Sequence, residues 1–121
     1  MMDEKRKGGW FILLVMLSLF VNGCSVVSQQ KDPEVKYEVT GTATTVDITM
    51  ENSSGGTSQF SDVAVPWSTY FTSKSGAFVY ISAQNQASSG SVTVRIYKDG
   101  IVFKESTSSG AYVIATASGS L

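Results

Sequence analysis

Residues 92–105 read VTVRIYKDGIVFKE, and this stretch decides the fold class. Its first apolar residues, two valines and an isoleucine, alternate with threonine, arginine and tyrosine, which is the period-two pattern of a strand with one buried face. Asp99-Gly100 then supplies the two positive φ values that a two-residue type I′ turn requires, and apolar residues follow it. The stretch therefore predicts a β-hairpin.

The same alternation covers most of the chain from residue 34 to its end, with turn residues between the apolar stretches. Short strands at regular spacing are typical of a β-sandwich. We therefore predict an all-β sandwich of about seven or eight strands over residues 34–121. The predicted strands cover residues 35–40, 46–51, 60–65, 67–72, 77–83, 92–97, 101–105 and 111–117.

The N-terminal segment predicts a membrane anchor. A basic cluster at residues 5–7 precedes residues 10–21, an apolar stretch with a single serine, which fits the hydrophobic part of a signal peptide. Val21-Asn22-Gly23-Cys24 follows and resembles the bacterial lipobox, in which the cysteine sulfur receives a diacylglycerol and the preceding peptide bond is cut. We therefore predict lipid attachment at Cys24 and signal cleavage between Gly23 and Cys24.

An uncleaved spanning helix is the alternative anchor, because residues 8–27 contain only three polar residues and reach the roughly 20 that a span needs. With either anchor, the positive-inside rule places the basic end in the cytoplasm and the chain after Cys24 outside it. We predict an N-terminal signal or anchor helix at residues 1–23, a flexible tether at 24–33, and an extracytoplasmic domain. In a host with two membranes, the domain would lie at the outer membrane or the periplasmic face.

Composition argues against several classes of function. The chain carries 9 basic and 10 acidic residues, a net charge of −1, which gives no electrostatic footprint for nucleic acid. It has no histidine, the commonest general base and metal ligand, and its single cysteine cannot form an internal disulfide or a multi-cysteine zinc site. We predict no cofactor, no metal site and no nucleic-acid partner.

No set of residues predicts catalysis. The only Ser-x-x-Lys pattern, at residues 28–31, lies in the predicted tether, whereas a serine–lysine mechanism needs a nucleophile positioned in a cleft. The carboxylates of Glu38, Asp47 and Glu51 fall on the polar faces of predicted strands, where we expect them to be solvated. We predict a protein without enzymatic activity and name no catalytic residue.

Aromatic residues are the strongest candidates for binding, since Trp67, Tyr70, Phe71, Phe78 and Tyr80 lie close together in sequence. Trp67 and Phe71 have the same parity on one predicted strand, so we expect them to share the core face. Tyr70 and Tyr80 remain as a candidate binding surface.

A resemblance to a known family rests on six short stretches taken in order. They are YEVTG (37–41), DIT (47–49), VPWS (65–68), ISAQN (81–85), VTVRIYKDG (92–100) and GAY (110–112). Together they resemble the MmpS family, the mycobacterial small membrane proteins and their bacterial relatives. The resemblance implies an immunoglobulin-like sandwich outside the cytoplasmic membrane, and accessory partnership with large lipid-exporting transporters.

Two functions follow as hypotheses. The first is a non-catalytic, membrane-anchored envelope protein that serves as an accessory or interaction module of an envelope or transport complex. The alternative is a lipid-anchored module that binds carbohydrate or lipid. A contiguous exposed aromatic patch favours the alternative, and a polar face or a free sheet edge favours the first.

Overall fold

The computed structural model describes residues 31–121, which form eight β-strands in two four-stranded antiparallel sheets. The prediction of an all-β sandwich is therefore confirmed. The predicted anchor helix, Gly23, Cys24 and most of the tether lie outside the described residues. No helix within residues 31–121 is long and apolar enough to cross a membrane. The strands are β1 (Glu34–Thr40), β2 (Thr45–Glu51), β3 (Thr57–Ala64), β4 (Trp67–Thr72), β5 (Phe78–Asn85), β6 (Ser91–Lys98), β7 (Ile101–Ser109) and β8 (Ile114–Ser120).

The connections cross between the sheets at almost every step. The first sheet has the order β4-β1-β6-β7 and the second has the order β3-β2-β5-β8. Only the hairpins β2–β3 and β6–β7 stay within one sheet, and the other five connections pass from one sheet to the other. Every loop therefore lies at one of the two ends of the sandwich.

Backbone hydrogen bonds define these two ends. At the end where the chain enters β1, here the entry end, the amide of Ser73 donates to the carbonyl of Pro33 (3.2 Å) and that of Gly76 donates to the carbonyl of Leu121 (2.8 Å). The entry end also holds the 52–56 turn and the Asp99-Gly100 turn. The opposite end, here the far end, consists of the loops 41–44, 65–66, 86–90 and 110–113.

The core lies between the sheets and follows the predicted alternation. Val92, Val94 and Ile96 of β6 are fully buried, and Ala115 and Ala117 of β8 are buried in the facing sheet. Burial of such side chains is the main favourable contribution to folding, at about 25 cal/mol per Å² of apolar surface. Trp67 and Phe71 pack against this core, as predicted, and the ring of Phe71 meets that of Tyr37 edge-on at 5.1 Å.

The last strand begins later than predicted. Alternation predicted a strand from Ala111, but β8 starts at Ile114. The reason is the backbone of the preceding turn, where Gly110 has φ 125° and Tyr112 has φ 54°. These angles interrupt the extended backbone of a strand, whose φ lies near −140°. Residues 110–113 therefore form a turn at the far end.

Candidate functional site

The two predicted binding residues are not brought together. Tyr70 points outward from β4 in the first sheet and is well exposed. Tyr80 points outward from β5 in the second sheet, where it is half-buried and stacks on Phe78 with ring centroids 6.4 Å apart. The two tyrosines therefore lie on opposite outer faces of the sandwich and share no surface.

On the outer face of the first sheet, Tyr70 belongs to a row of side chains that contact one another. Lys36 lies between two rings, with its Nζ 5.5 Å from the centroid of Tyr70 and 4.9 Å from that of Tyr97. Such cation–π contacts at exposed sites contribute about 0.5–1 kcal/mol each. These contacts stabilise the sheet, and the ring of Tyr70 is partly occupied by its contact with Lys36.

Glu38 lies next to that row and is surrounded by donors. Its carboxylate accepts the hydroxyl of Tyr97 at 2.8 Å and pairs with Lys36 at 3.5 Å and with Arg95 at 3.4 Å, while Arg95 also pairs with Glu105. Partial burial alone would raise the pKa of Glu38, but the Tyr97 hydrogen bond and the two cations together hold it below its usual value. Glu38 is thus a paired residue of the sheet surface rather than the freely solvated carboxylate that we expected.

The far end is organised by one buried side chain. Asn85 is fully buried, and its Oδ1 accepts the amide of Ala87 at 2.9 Å. Its Nδ2 donates to the carbonyl oxygens of Ser89 at 2.9 Å and Gly110 at 3.0 Å. A buried carboxamide is costly unless it is hydrogen-bonded, and here three bonds satisfy it. Asn85 therefore ties the 86–90 loop to the 110–113 turn.

Further hydrogen bonds fix the 110–113 turn. The amide of Tyr112 donates to the carbonyl of Ala87 (3.1 Å), and that of Gly110 donates to the carbonyl of Gly90 (2.9 Å). The side-chain amide of Gln84 donates to the carbonyl of Tyr112 at 3.1 Å. Hydrogen bonds to both its amide and its carbonyl thus fix the backbone of Tyr112.

Tyr112 itself is held in an unfavourable conformation and exposed to solvent. Its φ of 54° lies in the left-handed region, which costs a residue with a side chain roughly 1–2 kcal/mol. Tyr112 is 56% exposed, and Ile114, two residues later, is exposed to a similar degree. The surrounding far-end loops, with sequences GTAT, VP, QASSG and GAYV, contain no charged residue.

A strained backbone held rigidly beneath an exposed aromatic side chain is typical of a binding site. Exposed tyrosine and isoleucine on an uncharged surface suit contact with another protein. The sequence analysis had placed Tyr112 in a strand and missed this site. The signal available in the sequence was Gly110, two residues before Tyr112, because glycine is a common turn residue.

The described residues offer little for other chemistry. Residues 31–121 contain no group of three or more His, Cys, Asp or Glu side chains that could hold a metal ion. The entry end has an open cleft of about 380 Å³, lined by residues of the 52–56 turn and the 73–77 loop. Its lining includes both Lys74 and Glu51, so the cleft has mixed charge.

Comparison with known proteins shows a match to one protein family. The sequence model of a family described as Mycobacterium membrane protein matches residues 25–118. Among curated proteins, none matches the chain. A solved structure of a calcium-dependent carbohydrate-binding module is 12% identical to this chain, with a TM-score of 0.39. The alignment covers 58% of this chain and 60% of that one.

Proposed function

The chain belongs to the Mycobacterium membrane protein family, and we propose that it is a membrane-anchored, extracytoplasmic protein. From the geometry of the far end, we also propose that its sandwich binds a protein partner there. The proposed role is non-catalytic, that of an accessory or interaction module of an envelope or transport complex. Membership of a membrane protein family supports the anchoring, and the basic and apolar pattern of residues 5–21 supports its orientation.

The presentation of Tyr112 carries the proposal that the far end binds. The hydrogen bonds of the turn account for the left-handed backbone of Tyr112, but its side chain is left largely in water, since the residue is 56% exposed. The Asn85 network holds the loop in this state before any partner arrives, which lowers the entropic cost of binding. The strands also separate this site from the end at which the chain enters the domain.

The carbohydrate- or lipid-binding alternative requires an exposed aromatic platform. Tyr70 and Tyr80 do not form one between them, because they lie on opposite faces of the sandwich. We therefore propose binding of a protein, which an uncharged surface with a single rigid aromatic anchor suits.

The lipid anchor can be tested by metabolic labelling with a palmitate analogue. We expect the wild-type chain to be labelled and Cys24→Ala to lose the label while still being synthesised. A wild-type chain that stays unlabelled and retains residues 1–23 would replace the lipid anchor with a spanning helix.

Partner binding can be tested by placing a photo-crosslinking amino acid at Tyr112 in cells of the native host. The control has the same amino acid at Phe60, which is also an exposed aromatic residue but lies in β3 of the second sheet, away from both ends of the sandwich. We expect a discrete protein adduct from position 112 that is absent from position 60. Identical adducts from both positions, or none from 112, would rule out the far end as the binding site.

A further inference from the structure

Exposed apolar side chains concentrate at the entry end. Ile101 is the first residue of β7, and Phe78 is the first residue of β5. Val102 and Tyr70 lie at the same level of the first sheet, one residue further from the entry end than Ile101. These four are among seven large apolar side chains that are exposed in residues 31–121. Ile101 is the most exposed of them, at 73%. Single exposed apolar residues are ordinary, but a group at one end of a sandwich calls for an explanation.

Lysine side chains accompany this group. Lys31 precedes β1, Lys74 lies in the loop between β4 and β5, and Lys98 directly precedes the Asp99-Gly100 turn. Carboxylates of neighbouring residues, including Asp32, Glu34 and Asp99, keep the net charge of the entry end small. Attraction to an anionic surface alone is therefore weak, and apolar contact must supply most of any affinity.

The combination of these residues suits the interfacial region of a bilayer. Tyrosine is enriched at the level of the lipid headgroups, where its ring is partly buried and its hydroxyl stays hydrated. Lysine can place its alkyl chain along apolar surface while its ammonium group remains among the headgroups. An isoleucine directly after a hairpin turn can reach the upper acyl region, and one polar group of this turn, the amide of Asp99, is already paired with the carbonyl of Glu34.

The short segment between the proposed anchor and β1 keeps the entry end near the membrane. Ten residues run from Cys24 to Pro33, so even a fully extended chain spans no more than about 33–36 Å. The tether consequently holds the domain close to the bilayer, which gives the entry end a high effective concentration at the membrane surface. A contact with lipid that would be too weak for the free domain can therefore form in the tethered one.

We propose that the entry end of the domain rests on the bilayer that holds the chain's own anchor, with Ile101, Val102 and Tyr70 in the interfacial region. This inference rests on the proposed membrane anchoring. It would fix the orientation of the domain and direct the far end away from the membrane.

The experiment uses the full chain, reconstituted in vesicles of phosphatidylethanolamine and phosphatidylglycerol. An environment-sensitive fluorophore is attached to Ile101→Cys or, as the matched control, to Tyr112→Cys at the far end. Wild type, whose only cysteine is Cys24, reports background labelling. Phospholipids with a spin label near the top of the acyl chain act as the quencher.

We expect the spin-labelled lipid to quench the fluorophore at position 101 at least twofold more than the fluorophore at position 112, with emission at 101 shifted to the blue. Equal quenching at both positions in chains that float with the vesicles would overturn this inference and leave the anchoring intact. Chains that fail to float with the vesicles would overturn the anchoring itself, and the inference with it.

Discussion

The hydroxyl of Tyr37 joins the two sheets inside the core. Tyr37 lies in β1 of the first sheet, and its Oη donates to the carbonyl of Glu51 in β2 at 2.8 Å. The same oxygen accepts the amide of Tyr80 in β5 at 3.2 Å, so both partners belong to the second sheet. Burial raises the pKa of Tyr37 to about 12, because the phenolate would lose its hydration.

Replacing Tyr37 with phenylalanine should therefore destabilise the fold. The substitution keeps the ring but leaves a carbonyl and an amide without this partner, at a cost of about 1–3 kcal/mol in the free energy of unfolding. Denaturant titration of wild type and Tyr37→Phe, followed by circular dichroism, measures the difference.

The dependence of this difference on pH provides the second test. A tyrosine whose folded pKa is raised contributes stability that is complete below its unfolded pKa near 10 and is lost as pH rises toward 12. We expect the gap between wild type and Tyr37→Phe to be constant from pH 7 to 9 and to narrow above pH 10. A gap that stays unchanged up to pH 11 would contradict the burial of this hydroxyl.

At Tyr112, binding and stability should oppose each other. Asparagine tolerates the left-handed region better than tyrosine, so Tyr112→Asn should stabilise the fold by up to about 1 kcal/mol, a few degrees in Tm. Tyr70→Asn, on a strand with ordinary backbone angles, should give no such gain. Thermal melts of both variants measure this, and a marked loss of stability in Tyr112→Asn would assign Tyr112 to the fold instead of to binding.

At the scale of elements, the β6–β7 hairpin shows how a local turn is joined to the rest of the sheet. Asp99 has φ 50° and Gly100 has φ 84°, as the predicted type I′ turn requires. The amide of Asp99 donates to the carbonyl of Glu34 at 2.9 Å, and its Oδ1 accepts the Glu34 amide at 2.9 Å. The turn is thus held against the start of β1.

Gly100→Val should lower the free energy of unfolding by roughly 1 kcal/mol or more, because valine is strained at positive φ. No heavy atom beyond the chain neighbours lies within 4 Å of a Cβ built at Gly100, so the cost is conformational and not steric. Gly100→Asn is the matched control and should cost clearly less. Equal midpoints of unfolding for the two variants would show that backbone conformation is not what matters at this position.

Strands flanked by local turn signals could be predicted from the sequence. The Asp99-Gly100 turn and the strand at residues 67–72 match the structure, because alternation and turn chemistry are both local. The strand after that turn runs four residues beyond its predicted end, to Ser109. The start of β8 could not be predicted this way, since the turn before it is held by Asn85, 25 residues from Gly110 in sequence. A polar residue in an otherwise apolar strand gives no indication of which loop it will bond.

At the scale of the whole molecule, the position of the candidate binding residues depends on topology. Tyr70 and Tyr80 are close in sequence, but the β4–β5 connection crosses from one sheet to the other and separates them. At the far end the reverse holds, because the 86–90 loop and the 110–113 turn are distant in sequence and are brought together by the pairing of β5 with β8. Parity along a strand predicts which face a residue occupies, and it does not predict which sheet the strand joins.

The same topology gives the two ends of the sandwich different surfaces. Strands of six to nine residues separate the ends by about 20–30 Å at roughly 3.3 Å per residue. The entry end carries the lysines and the exposed apolar group, and the far end is uncharged and held by Asn85. This division permits one end to meet the membrane while the other binds a partner.

Affinity capture from solubilised membranes of the native host, quantified by mass spectrometry, tests the central claim most directly. The baits are the tagged wild-type chain, Tyr112→Asn and the matched variant Tyr70→Asn. We predict that a defined membrane or envelope protein is captured equally by wild type and Tyr70→Asn and at least tenfold less by Tyr112→Asn. Undiminished capture by Tyr112→Asn, or a loss confined to Tyr70→Asn, would contradict partner binding at the far end.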